Sequence, residues 1–353
     1  MAVLICTGLS SACITEKAAI KLPSVPLPLP TTSPVAIPFA ITPFFTDPAV
    51  QGRNAPGWKI INSIVDDINS SNRSVDVAMY NFSLKEIGEA LIKATQRGVA
   101  VRMVVDSDAL DGTELQRLKK TGIHVLGDRR ESLMHNKFVV IDREILWTGS
   151  LNLTYSGSME DENVQVRIVS KVLVDNYLSK FTEMFNEDKF GQDSRTMTAT
   201  TKFVLTGIQV ENYFSPEDKI DTRLISLVGS AKKSVHVLAY SFTQDRLADA
   251  LVKAGKNGVE VRGVFDADST ADNQGADFPG LQKAGLEVRL DGDPGLMHIK
   301  AIIIDGKTVA FGSYNFTASA ENKNDENVLI ITDSALADRF EQAFDRIYQK
   351  SNP

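Results

Sequence analysis

Two short runs of this chain hold the same chemical side chains in the same order. In MHNKFVVID, His135, Lys137 and Asp142 form the pattern H-x-K-x-x-x-x-D, and in MHIKAIIID, His298, Lys300 and Asp305 repeat it. Each run is followed by a Gly-Ser-x-Asn segment, GSLNLT from Gly149 to Thr154 and GSYNFT from Gly312 to Thr317. A Glu-Asn-Val triplet then closes each copy, Glu162-Asn163-Val164 in the first and Glu326-Asn327-Val328 in the second. Imidazole titrates near pH 6.5, so a histidine serves as base, acid or nucleophile, and a lysine beside it adds positive charge. On a strand, residues i and i+2 share a face, which would let His135 and Lys137 act on one anionic group. A lone H-x-K is a weak signal, and its strength here comes from recurrence with the same companions.

The elements that position these residues are also duplicated. Val75 to Asp108 overlays Val235 to Asp268, so that Tyr80 meets Tyr240, Gly98 meets Gly258 and Asp106 meets Asp266 at a constant offset of 240 − 80 = 160. Beyond a small insertion, His135 meets His298 and Asn152 meets Asn315 at an offset of 298 − 135 = 163. Two copies of a unit this long are a duplicated domain rather than a solenoid. Val75 to Tyr80 and Val99 to Val105 read as strands covered on both faces, and Leu84, Ile87, Leu91 and Ala94 between them recur at helical spacing up to the stop at Gly98. Closing helices are expected around Val174 to Phe185 and Ala335 to Tyr348. Strands and helices that alternate through short links imply an α/β fold with largely parallel sheets.

The doubled H-x-K-x-x-x-x-D motif, with its Gly-Ser-x-Asn and Glu-Asn-Val companions, resembles the phospholipase D superfamily from about Trp58 to Tyr348. The resemblance implies two tandem phospholipase D-like domains, each a mainly parallel mixed sheet flanked by helices. They would be related by a pseudo-two-fold axis and pool their motifs in one phosphodiesterase site. Phosphodiester oxygens repel a nucleophile, and many phosphoryl-transfer enzymes offset this with magnesium. Lys137 and Lys300, the amides of Asn152 and Asn315 and the hydroxyls of Ser150 and Ser313 would do so here. One neutral imidazole would attack phosphorus, while the other protonates the leaving alkoxide and then activates water. The resemblance points to His135 as nucleophile and His298 as acid, with Glu162 and Glu326 orienting them. Asp142 and Asp305 belong to the motif's catalytic set, although their place at the end of an apolar strand better suits a structural role. Trp147 and His236 read as core or satisfied polar positions, and no cofactor or metal-ligand spacing is expected.

Composition bounds the rest. The chain has 353 residues, 43% hydrophobic and 24% charged, which excludes disorder as its main character, and its net charge of −7 argues against a wholly basic surface. Cys6 and Cys13 are the only cysteines, which excludes a zinc-thiolate site or a cysteine nucleophile beyond them. Residues 1–13 resemble the end of a bacterial lipoprotein signal, with Ser10 where leucine is usual and no basic residue before Lys17. The expectation is export, to a periplasmic location or a lipid anchor at Cys13. A Pro-rich spacer is expected over 14–56, domain one over 57–187, a linker over 188–204 and domain two over 205–350. A phospholipid substrate is favoured by that terminus and by Asp266, Asp268, Asp272, Asp277, Asp291 and Asp293 around the second motif. Arg129 and Arg130 support the alternative, an exported endonuclease for DNA or RNA. Duplication within one chain implies a monomer.

Overall fold

A computed structural model describes residues 39–352 except 196, 197, 199, 273 and 274. The signal-like segment and most of the spacer therefore lie outside the described residues. In the first repeat the strands are β1 (Ala40–Phe45), β2 (Ser74–Met79), β3 (Ala100–Val105), β4 (His124–Gly127), β5 (Lys137–Ile141), β6 (Ile145–Gly149) and β7 (Val164–Val169). Its helices are α1 (Pro56–Ser70), α2 (Lys85–Gln96), α3 (Thr113–Lys120), α4 (Tyr155–Met159) and α5 (Lys171–Glu187). In the second, the strands are β8 (Lys202–Leu205), β9 (Ile208–Ser215), β10 (Ser234–Ala239), β11 (Glu260–Phe265), β12 (Glu287–Leu290), β13 (Ala301–Ile304), β14 (Thr308–Gly312) and β15 (Glu326–Thr332). With them come α6 (Ile220–Ser230), α7 (Asp245–Lys256), α8 (Ala267–Asp272), α9 (Phe278–Lys283), α10 (Ala318–Asn322) and α11 (Ser334–Lys350).

The two sheets run β1-β7-β6-β5-β2-β3-β4 and β12-β11-β10-β13-β14-β15-β9-β8. Only β2-β3-β4 and β10-β11-β12 pair in parallel, and the remaining neighbours are antiparallel. The sheets are mixed, as expected, but not mainly parallel. One contributor is a tight three-residue hairpin in each repeat: Asp142, Arg143 and Glu144 join β5 to β6, Asp305, Gly306 and Lys307 join β13 to β14, and the first two residues of each have φ between 54° and 60°. Such turns match the twist of antiparallel strands.

Those hairpins also relocate the motif aspartates. The Asp142 carboxylate accepts the backbone N–H groups of Asn72, Arg73 and Ser74 at 2.7–3.0 Å. Asp305 accepts those of Lys232, Lys233 and Ser234 at 2.7–3.1 Å. Both stand at the end of their strand remote from the histidine. They fasten the hairpin to the start of the neighbouring strand.

Domain boundaries move for equally local reasons. Residues 40–45, expected in the spacer, form edge strand β1 against β7, where Pro43 is tolerated. Pro56 opens α1 at a position where no N–H is needed. The expected linker over 188–204 contains a 3-10 turn at Gly191–Asp193 and the start of β8.

From Ile37 onward the chain is one unit. Alternation along β5 sends Phe138 and Val140 into a core shared by both repeats, and Val139 and Ile141 into the core under α1, α2 and α3. The shared core takes side chains from both sheets and from α5 and α11, including Tyr177, Phe181, Phe340 and Phe344. Each contributes about 1.5–3 kcal/mol by leaving water. Trp147 is fully buried, and its Nε1–H donates to Asp67 at 2.7 Å. His236 stacks on Phe344 at 4.5 Å and bonds Glu341, a satisfied core position. Among the described residues no helix is long and apolar enough to cross a membrane.

Burial alone would raise the Asp305 carboxyl, but the three N–H groups outweigh it and hold it below the ordinary 3.8. Its stabilisation is therefore present above that pH and is lost as the pH falls through the depressed value. Asp305→Asn is expected to cost about 1–2 kcal/mol in urea unfolding at pH 7. The gap from wild type should narrow below pH 3.8.

Candidate active site

Each histidine precedes its strand and is fastened to the opposite repeat. The His135 N–H donates to the Asp325 carbonyl at 3.0 Å, and the Asp325 N–H returns to Leu133 at 2.9 Å. In the matching place, the His298 N–H donates to the Glu162 carbonyl at 2.9 Å and the Glu162 N–H returns to Leu296 at 2.8 Å. From within their own repeats, the Asp106 and Asp266 carboxylates accept the N–H groups of Met134 and Met297 at 3.0 and 2.9 Å. These aspartates follow β3 and β11 directly, so the parallel strands set the height of the histidines.

Lys137 and Lys300 are buried, and their ammonium groups donate to the carbonyls of His135 and His298 at 2.8 and 2.7 Å. Each lies over a tyrosine ring, Tyr80 at 5.1 Å and Tyr240 at 4.7 Å. The same rings meet His135 and His298 at 4.9 Å. Among the described residues neither lysine forms an ion pair. Burial pulls Lys137 down to about 7 against the pull of Glu326 and Asp106, and burial with Lys137 nearby holds Lys300 well below its ordinary 10.5. Burial first, and then the two lysines, also depress both imidazoles well below 6.5. Two lysines and two imidazoles thus share a buried pocket in which an anionic ligand would favour their protonated forms.

The histidines are not oriented as expected. His135 Nδ1 lies 2.9 Å from both oxygens of Glu326, but His298 Nδ1 bonds Asn163 Oδ1 at 3.0 Å. Strand register explains why. Gly149 pairs with Gln165 and Gly312 with Val328, so the offset of 163 continues and the counterpart of Glu326 is Asn163. The two Glu-Asn-Val triplets look aligned but are shifted by one residue, and on a strand one residue reverses the facing of every side chain. Glu162 points away from His298 and accepts both guanidinium nitrogens of Arg346 at 2.6 and 2.7 Å. Its counterpart Asp325 likewise turns from the site, to Lys180 at 3.0 Å. The signal was available in the sequence, because the Glu-Asn-Val triplets are 164 apart while the histidines, lysines, aspartates and Gly-Ser-x-Asn residues are each 163 from their partners.

Ser150 and Ser313 are fully buried and do not face a ligand. Their hydroxyls donate to Asn163 at 2.7 Å and Glu326 at 2.6 Å and accept the N–H groups of Val164 and Asn327. They hold the partners of the two histidines in place. Asn152 and Asn315 remain half-buried beside them, each with an Oδ1 that has no hydrogen-bond partner. Beyond Asn163, the sequence reading missed Tyr80, Tyr240, Asp106 and Asp266 as site residues, although the overlay aligned each pair. Asn327 was also missed in its structural role: its Oδ1 accepts the hydroxyls of Thr148 and Tyr177, both at 3.0 Å, across the repeat boundary. Among the described residues no cluster of three His, Cys, Asp or Glu side chains could hold a metal ion.

Residues 64–185 and 224–348 each match the family model described as "Cardiolipin synthase, PLD-like domain". The chain is 32% identical over 162 residues to a phospholipase D of Rickettsia prowazekii, covering 46% of this chain and 78% of that one. It is 38% identical over 132 residues to the human mitochondrial cardiolipin hydrolase, covering 37% and 52%. The crystal structure of phosphatidylserine synthase from Haemophilus influenzae shares the two-repeat fold with a TM-score of 0.63 at 15% identity, over 84% of this chain and 85% of that one.

A base must be neutral above its pKa and an acid protonated below its own. With both imidazoles depressed below 6.5, the reaction they share is expected to have its kcat/KM maximum below pH 6.5, measured over pH 4–9. Removing the cation beside buried Glu162, as in Arg346→Leu, should cost about 3–5 kcal/mol in chemical unfolding.

Proposed function

The chain belongs to the phospholipase D-like domain family, and on that premise we propose that it hydrolyses phospholipids to phosphatidate and a free headgroup, through a phosphohistidine intermediate and without a metal ion. The observation that carries this reading is the pair of buried lysines, without an ion pair among the described residues, between two imidazoles held by opposite repeats. A phosphodiester anion seated there would supply the missing negative charge and bring its phosphorus to both rings. Lys137 and Lys300 would then stabilise the charge that gathers on the oxygens in the transition state. Asn152 and Asn315 would donate their amide N–H groups to the same oxygens.

One imidazole attacks phosphorus through Nε2 as the other gives its Nε2 proton to the departing alkoxide. Water then attacks the phosphohistidine, its proton passing to the second imidazole, and the nitrogen–phosphorus bond breaks. Both repeats sit in the one chain, so a monomer carries the whole site.

The names of the relatives support a lipid substrate. The acidic surroundings of the second motif support it less than the sequence suggested. Asp266 and Asp291 are buried acceptors of backbone N–H groups, and their counterparts Asp106 and Asp128 do the same in the first repeat. Nor do Arg129 and Arg130 offer free charge to a nucleic acid, since both pair with Asp188 and Arg130 also with Asp193.

Purified protein in excess EDTA should release choline from phosphatidylcholine vesicles, and His135→Ala and His298→Ala should each lower the rate at least about 10³-fold. Cleavage of single-stranded or double-stranded DNA with the same dependence, and no choline release, would make it a nuclease instead. Loss of activity in EDTA would overturn the metal-free mechanism.

A further inference from the structure

The two histidines differ in one respect that duplication alone would not produce. Ser313, Glu326 and His135 form one chain of hydrogen bonds, and Ser150, Asn163 and His298 form its counterpart. The only chemical difference between the two chains is an ionisable carboxyl group, pushed up to about 8 by burial, in one and an amide, which cannot exchange a proton with the ring, in the other. The amide's orientation is set independently, because Asn163 Nδ2 donates to the Gly157 carbonyl at 2.9 Å and leaves Oδ1 to face Ser150 and His298. Asn163 is fully buried, so no solvent substitutes for the absent charge.

We propose that Asn163 divides the labour between the two histidines. By offering an amide where Glu326 offers an ionisable carboxyl group, it makes His298 the stronger acid and leaves phosphorylation to His135. The inference rests on the reaction proposed above.

Attack by His135 Nε2 forms a nitrogen–phosphorus bond while Nδ1 keeps its proton, so the ring becomes cationic. Glu326 faces that charge at 2.9 Å. The same charge on His298 would face an amide dipole, between two lysines and without a counter-ion. Phosphorylation is therefore favoured on His135. A proton on His298, held by no carboxylate, passes more readily to the leaving alkoxide and returns from water in the second step. Asn163 is a positioning residue: it touches the acid, not the substrate.

The test follows the titration of individual imidazoles by NMR in full-length protein labelled at histidine, alongside turnover of bis(p-nitrophenyl) phosphate. Asn163→Glu is expected to raise the pKa of His298 by about one unit or more and to leave that of His135 in place. Glu326→Gln makes both partners neutral and should collapse the difference between the two histidines, which keeps the test open if Asn163→Glu does not fold. Acid-quenched wild type should carry its phosphate on His135. A His298 titration unmoved in folded Asn163→Glu, a difference that persists in Glu326→Gln, or phosphate trapped on His298 would each overturn the proposal. No turnover of the probe by wild type would count against the reaction itself, while the titrations would still decide whether Asn163 sets the acidity of His298.

Discussion

Each half of this protein holds the histidine of the other. The backbone of His135 is fixed by Asp325 and its ring by Glu326, while His298 is fixed in the same two ways by Glu162 and Asn163. Those partners begin the strands β7 and β15, in an extended stretch whose side chains alternate in direction. One residue of each pair faces inward to a histidine. The other faces outward to a cation on a helix of the opposite repeat, Lys180 of α5 for Asp325 and Arg346 of α11 for Glu162. The core shared by α5 and α11 is what brings these crossings together.

That arrangement accounts for a pocket that folding alone would not favour. Burying two ammonium groups without carboxylate partners costs free energy, and the depression of both lysines is the sign of that cost. It is offset by packing elsewhere, chiefly the aromatic residues of the shared core. The ion pairs behind the site are fully partnered by contrast: Lys180 reaches Glu217 at 2.8 Å and Asp325 at 3.0 Å. Charge is satisfied where it holds the fold and left unsatisfied where a ligand is to come.

Much of this was legible in the sequence. The duplication, the lysines and histidines, the closing helices and the buried Trp147 followed from spacing and periodicity. Three features did not. The antiparallel pairings include tight hairpins of three residues, and one of these, Asp142-Arg143-Glu144, lacks the glycine that makes Asp305-Gly306-Lys307 recognisable. The motif serines suggested phosphate contacts by residue type, but type does not reveal burial. The triplets Glu162-Asn163-Val164 and Glu326-Asn327-Val328 are identical in letters and differ in register, and letters outweighed the offset. Sheet pairing resolves that ambiguity, because a strand admits one register.

The 191 residues between His135 and Glu326 also carry a consequence in time. A chain synthesised at about 5–20 residues per second needs on the order of ten to forty seconds to cover that distance. Throughout that interval a nascent first repeat already has its imidazole, lysine and tyrosine, but its histidine has no carboxylate to set its tautomer and no acid opposite. The ordering of the two halves along one chain thus leaves the first histidine without the groups that hold it until the second half has been synthesised.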